Sequence, residues 1–214
     1  MKKVENDRCL AFVPEGSGSH PVLCFLHGAG EAGADRNGKP QSLATVLKNG
    51  SPAWHAEKGS AFMSRFLVIC PQLERRRRWE SSDAPWVDSI VQAAVREHGG
   101  DLSRLVLTGF SYGGEGAFQI ASVSKLAWPT IWAVDPALQR MPPIPAANVR
   151  IWVHHGSAQP GAENMKKFAE QLALEPRSDS AQGTRRVHTA LGTDHPGTCT
   201  AAYAEVHVYD WLLR

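Results

Sequence analysis

Ser111 lies in Gly109-Phe110-Ser111-Tyr112-Gly113-Gly114, a G-x-S-x-G pentapeptide with one further glycine. The apolar run Arg104 to Thr108 precedes it, and apolar residues at helical spacing follow from Glu115 to Ala121. That order marks a sharp strand-to-helix turn that stands a hydroxyl at a sheet edge. The glycines are expected there because they admit positive φ and close backbone approach. Such a hydroxyl can attack an acyl carbon once a neutral imidazole takes its proton. Nine histidines compete for that role. His195, in Leu191-Gly192-Thr193-Asp194-His195-Pro196-Gly197, sits on a polar loop after the last apolar strand, where it can reach the sheet edge. His154 and His155 close an apolar strand, His188 lies inside a strand and His207 inside a helix, so these read as structural. No carboxylate or cysteine at ligand spacing makes a metal site of the His154-His155 pair.

Acyl transfer also needs N–H donors aimed at the oxygen that becomes negative. The glycine-rich turn His27-Gly28-Ala29-Gly30-Glu31-Ala32-Gly33 follows the apolar run Val22 to Leu26 and can present the N–H of Ala29. The second donor is the N–H of Tyr112, the residue after the serine. His27 is expected to bond within its own turn, and Glu31 either supports the turn or faces substrate. A carboxylate must then orient the imidazole. In the chain order serine, acid, histidine, the candidates are Glu115, Asp135, Glu163, Glu170, Glu175, Asp179 and Asp194. Position narrows these to Asp135 and Glu163. Asp135 ends the run Thr130 to Val134 and precedes Pro136, at a strand's carboxyl end, although a helix cap or Asx turn would also place an aspartate there.

The elements that must hold these groups alternate. Short apolar runs at Cys9 to Val13, Val22 to Leu26, Phe66 to Cys70, Leu105 to Thr108, Thr130 to Val134, Arg150 to Val153 and Arg186 to Ala190 read as strands. Trp86 to Glu97, Glu115 to Leu126, Asn164 to Leu174 and Thr200 to Leu213 have helical spacing. The expectation is an α/β chain with a mostly parallel sheet covered by helices on both faces and chemistry just beyond the strands' carboxyl ends. Gln41 to Met63 resists assignment, Arg177 to Gly183 reads as an exposed loop, and no insertion between Thr130 and Arg150 is long enough for a full lid.

Composition sets outer bounds. The 214 residues are 43% apolar, enough for one core, and no linker divides them, so residues 1–214 read as one domain. A formal charge of +2 argues against nucleic acid or an anionic membrane as the main partner. No apolar run is long enough to span a bilayer, and Met1 to Arg8 lacks an apolar segment behind its lysines, so the expected location is cytoplasmic. Cys9, Cys24, Cys70 and Cys199 form no C-x-x-C pair and read as small core residues. No cofactor or metal is expected, and the oligomeric state is open.

With serine turn, glycine turn and histidine in this order, the chain resembles the α/β-hydrolase superfamily. Within it the chain is similar to the small esterases of the phospholipase/carboxylesterase and dienelactone-hydrolase-like groups, which include bacterial proteins described as predicted peptidases. The resembling segments are Phe25 to Gly33, Val68 to Gln72, Leu105 to Gly114, Val153 to Gly156, and His195 with the tail Tyr203 to Leu213. The resemblance implies a serine nucleophile at Ser111, a base at His195 and oxyanion donors at Ala29 and Tyr112. One position departs from it. The relatives' aspartate after the histidine-glycine pair of the penultimate strand is here Gln159, which holds no charge. Either the acid has moved to Asp135, as in some relatives that carry it one strand earlier, or Glu163 reaches back, or the triad is incomplete.

The resulting expectation is a serine esterase acting on a small-molecule ester, with Ser111 as nucleophile, His195 as base and Asp135 as the acid taken in preference to Glu163. A serine peptidase or amidase uses the same apparatus, and a non-catalytic binding protein on the same scaffold is the third alternative. The run Arg75-Arg76-Arg77-Arg78 either recruits an acidic group or forms a solvated loop. Trp54, Trp79 and Trp86 either line a pocket or plug the core.

Overall fold

The computed structural model describes residues 1–16, 18–158, 162–176 and 186–214. The expected exposed loop from Arg177 to Gly183, with Asp179, and the Gln159 position lie outside the described residues. Among those described, the strands are β1 (Lys2–Asn6), β2 (Cys9–Val13), β3 (His20–Leu26), β4 (Leu67–Pro71), β5 (Gly100–Phe110), β6 (Thr130–Val134), β7 (Arg150–Gly156), β8 (Glu175–Pro176) and β9 (Arg186–Leu191). They form one sheet in the order β1-β2-β4-β3-β5-β6-β7-β9-β8. From β4 to β8 across the sheet every pairing is parallel, while β1 and β2 pair antiparallel at one edge. The helices are α1 (Pro52–Glu57), α2 (Ala84–His98), α3 (Tyr112–Ala121), α4 (Ala162–Gln171), α5 (His195–Tyr203) and α6 (Val206–Leu212).

Strand alternation sends side chains to opposite faces and builds two cores. Val22, Cys24 and Leu26 of β3 pack with Val87 and Val91 of α2, Phe118 of α3 and Phe168 of α4. Leu23 and Phe25 of the same strand pack on the other face with Ala53 of α1, Tyr203 of α5 and Tyr209 and Trp211 of α6. All four cysteines are buried free thiols, and burial pushes the Cys9 thiol up to about 12, so they are packing residues that stay protonated.

Three expectations change. β1 extends the sheet by an exposed edge strand whose sequence, Lys-Lys-Val-Glu-Asn, carries no apolar alternation. The segment from Gln41 to Met63 contains α1, where Ser51 caps the helix by accepting from Trp54 N at 3.2 Å and Pro52 opens its first turn. The expected terminal helix from Thr200 is broken after Tyr203 into α5 and α6, and the Tyr209 hydroxyl donates to the Tyr203 carbonyl at 2.8 Å across the break. His195 accordingly opens α5 instead of lying on a free loop, with Asp194 as N-cap accepting from Gly197 N.

The register aligns the site. Phe110 pairs with Val134, and Val134 pairs with His154, so the residues that leave β5, β6 and β7 do so at one level of the sheet.

Candidate active site

The turn between β5 and α3 puts Ser111 at φ 57 and ψ −115, outside the regions a serine ordinarily adopts. The strain falls on the serine itself. Gly109 and Gly113 do not have positive φ, so the expectation that the glycines serve there by adopting it is corrected. What they supply is room: a Cβ on Gly109 would lie 2.2 Å from the Gly113 carbonyl oxygen, and one on Gly113 would lie 1.8 Å from that of Leu26. The turn is thus pressed against the end of β3. Its backbone is tied down by Ser111 N donating to Val134 O at 3.0 Å and by Ser111 O accepting from Ala137 N at 3.1 Å.

His195 Nε2 lies 2.9 Å from Ser111 Oγ, and His195 Nδ1 lies 2.5 Å from Asp135 Oδ2. A carboxylate only accepts, so the ring proton sits on Nδ1 and the Nε2 lone pair faces the serine hydroxyl. Asp135 is 3% exposed, and its other oxygen accepts from Gly156 N at 3.1 Å. Its backbone is also unusual, with φ 44 and its N–H donating to His154 O at 2.7 Å. The Phe110 ring lies 4.6 Å from the His195 ring, centroid to centroid, and covers one face of the imidazole. Glu163 is exposed in the first turn of α4. The carboxylate that meets His195 is Asp135.

Ala29 opens a short 3₁₀ turn, Ala29–Glu31, and its N–H and that of Tyr112 donate to no described residue. Gly28 seats this turn against Ser111, since a Cβ there would lie 3.3 Å from Ser111 Cβ and 2.9 Å from Glu31 Oε2. His27 fixes the direction of the turn. Its Nε2 accepts from Leu73 N at 3.0 Å, so Nδ1 carries the proton and donates to Gly28 O at 2.7 Å. A trans peptide points its C=O and its N–H in opposite directions, so fixing the Gly28 carbonyl aims the Ala29 N–H. Burial holds this imidazole neutral and lowers its pKa to about 4. Glu31 is buried beneath the turn. Its carboxylate accepts from Asn49 Nδ2 at 2.7 Å, its carbonyl accepts from Thr45 Oγ1 and Gln72 Nε2, and burial pushes the acid up.

Arg77, though exposed, and the half-buried Arg78 are both paired with acids. Arg77 grips Asp83 with both terminal nitrogens, at 2.7 and 2.6 Å, and Arg78 bonds to Glu115 and to Ala137 O. Arg75 and Arg76 are exposed. Trp79 is a core plug, donating to His27 O at 2.9 Å and stacking on Trp86, whereas Trp54 is 39% exposed. The sequence reading missed the supporting roles of Gly156 N, Phe110, Asn49 and Gln72. Phe110 lies inside the pentapeptide and Gln72 and Gly156 end two of the resembling segments, whereas Asn49 stands beside no signal.

Among the described residues, no group of three or more histidine, cysteine or acidic side chains could hold a metal ion, and no helix is long and apolar enough to cross a membrane. No protein-family model matches the sequence, and no curated protein does. Solved structures do match. A thermostable esterase superposes with a TM-score of 0.71 at 20% identity, over 95% of this chain and 57% of its own, so this chain spans little more than half of that protein. The fluorophosphonate-binding serine hydrolase FphF of Staphylococcus aureus gives 0.67 at 10% identity, over 96% and 92%. Esterase 2 of Thermogutta terrifontis, in a butyrate-bound structure, gives 0.62 at 17%, over 98% and 90%. At these identities the likeness is one of architecture, and together with the parallel sheet and its order it gives this chain the α/β-hydrolase fold.

Proposed function

We propose that the protein is a serine hydrolase of small carboxylic esters. The observation that carries the reading is the unbroken hydrogen-bonded chain from Ser111 Oγ through His195 to Asp135. In the proposed reaction Ser111 Oγ attacks the ester carbonyl carbon while His195 Nε2 takes the hydroxyl proton. The carbonyl oxygen becomes an oxyanion facing the N–H groups of Ala29 and Tyr112. Collapse of this intermediate breaks the ester C–O bond, and the proton on Nε2 passes to the departing alkoxide. Water then attacks the acyl-serine by the same route, releasing the carboxylic acid and restoring the serine hydroxyl. Asp135 keeps the ring in the productive tautomer and stabilises the imidazolium.

The test is covalent labelling by a fluorophosphonate together with hydrolysis of 4-nitrophenyl butyrate, both lost in Ser111→Ala. Hydrolysis undiminished in that variant would overturn the reading. Amide cleavage is the second reading, since the same groups serve it and an acylaminoacyl peptidase from Pyrococcus horikoshii is among the structural matches. A nitroanilide assayed beside the ester separates the two. Folded protein that takes up no fluorophosphonate would point to the non-catalytic alternative.

A further inference from the structure

Arg78 sits between the two turns that carry the nucleophile and the acid. Its guanidinium carbon lies 4.3 Å over the ring of Tyr112, the residue after Ser111. It also donates to the carbonyl of Ala137, at 2.7 Å, and Ala137 in turn donates its N–H to Ser111 O. Both of its described hydrogen bonds, to Ala137 O and to the Glu115 carboxylate, leave from one nitrogen, Nη1. A guanidinium has five N–H donors in a planar fork. Among the described residues nothing accepts from Nη2 or Nε, and the side chain keeps 23% of its surface open. An arginine locked by stacking and by two bonds, with its other edge unspent beside a nucleophile, is a pre-organised seat for a carboxylate.

The charges around it permit this. Among the described residues Glu115 is the one acid paired with Arg78, and Arg140 acts on the same carboxylate. Arg75 and Arg76 extend the same loop, with no described hydrogen bond or ion pair, while Asp83 takes up Arg77. Arg78 and Arg140 outnumber the buried Glu115, and the exposed Arg75 and Arg76 are offset by Glu80 alone, since Glu74 pairs with Arg8, so the balance around Arg78 stays positive.

We propose that Arg78 selects esters bearing an anionic group, a carboxylate on the acyl chain or on the leaving group, by a bidentate contact from its Nη2 and Nε edge. This deepens the hydrolase reading by naming its substrate class. The kinetic arm compares mono-4-nitrophenyl adipate with its methyl ester, and 4-acetoxybenzoate with its methyl ester. Wild type is expected to prefer the acid of at least one pair by about ten-fold in kcat/KM, mainly through KM, with the preference shrinking as salt rises. The preference should vanish in Arg78→Gln and be partly kept in Arg78→Lys, which retains the charge without the fork. A group that only braces the turn would lower both members of a pair equally.

The binding arm does not depend on turnover. An NMR titration of Ser111→Ala with methyl hydrogen adipate and with dimethyl adipate should show saturable shifts for the acid alone, removed by adding Arg78→Gln. Preference for neither acid, together with no selective binding, overturns the proposal even if the neutral esters are hydrolysed. Selective binding by a protein that hydrolyses nothing would leave the anion seat standing and remove the hydrolase reading.

Discussion

Ser111 and Asp135 are the first residues beyond Phe110 and Val134, which pair across neighbouring parallel strands, and both are held at positive φ, 57° and 44°. Ser111 and Asp135 thus leave the sheet at one level, each through a backbone held at positive φ. His195 spans the gap from the start of α5. Strain of this kind persists only where surrounding structure over-determines it, and here the bonds of Ser111 N to Val134 O and Asp135 N to His154 O do so.

Replacing Asp135 by asparagine should lower kcat by about four orders of magnitude, because an amide donor facing Nδ1 favours the tautomer with its proton on the wrong nitrogen. KM should move little and circular dichroism should show an intact fold. Glu163→Gln, on the exposed first turn of α4, should retain full activity. Equal losses in the two variants would contradict the assignment of the acid.

The buried His27 makes stability depend on pH. Its pKa is held near 4 against an ordinary 6.5, so between those values the unfolded chain binds the proton and the folded chain does not. The contribution is fully present above pH 6.5 and is lost as pH falls through the window, by about 3 kcal/mol at most. Urea titrations of wild type and His27→Phe at pH 7 and pH 4.5 should show the stability gap between them narrowing at the lower pH. A constant gap would mean that the imidazole does not titrate this way.

Two glycines should differ sharply in their response to alanine. A Cβ on Gly113 would fall 1.8 Å from the Leu26 carbonyl oxygen, which β3 holds in place, so Gly113→Ala should destabilise by more than about 4 kcal/mol or abolish soluble expression. Gly30 has nothing within 4 Å of an added Cβ and no positive φ, so Gly30→Ala should melt within a degree or two of wild type.

Asn49 is at φ 59 and supplies the Glu31 carboxylate with its hydrogen bond. Asn49→Gly keeps the backbone and removes that donor, for an expected loss of about 1–3 kcal/mol. Asn49→Ala should lose roughly a further 1 kcal/mol from the left-handed conformation. The order Asn, Gly, Ala in denaturant midpoint is the check.

What the sequence disclosed followed from how local the cause was. The strands Cys9–Val13 and Thr130–Val134 have the bounds that their apolar runs imply, because buried strands read as continuous apolar stretches. β1 did not, since an exposed edge strand needs only backbone pairing with β2 and its lysines suit a solvated edge. Helix α1 had a local signal, the Ser51-Pro52 cap, that periodicity overlooks in so short an element. The break after Tyr203 has neither glycine nor proline to announce it. Ser111 and His195 could be picked out because their surroundings in the chain are distinctive. Asp135 was preferable to Glu163 from its place at the end of an apolar strand, but its contact with His195 depends on β6 lying directly beside β5 in the sheet. The division of labour along Arg75 to Arg78 was equally hidden, since Asp83 and Glu115 reach these arginines only through the fold.

The bond from Gly156 N to Asp135 Oδ1 gives β7 a task that no side chain performs. The donor is a main-chain amide, so it comes with the strand itself, and only proline at position 156 would remove it outright. Side-chain changes elsewhere along β7 therefore leave in place the dipole that steadies the buried carboxylate.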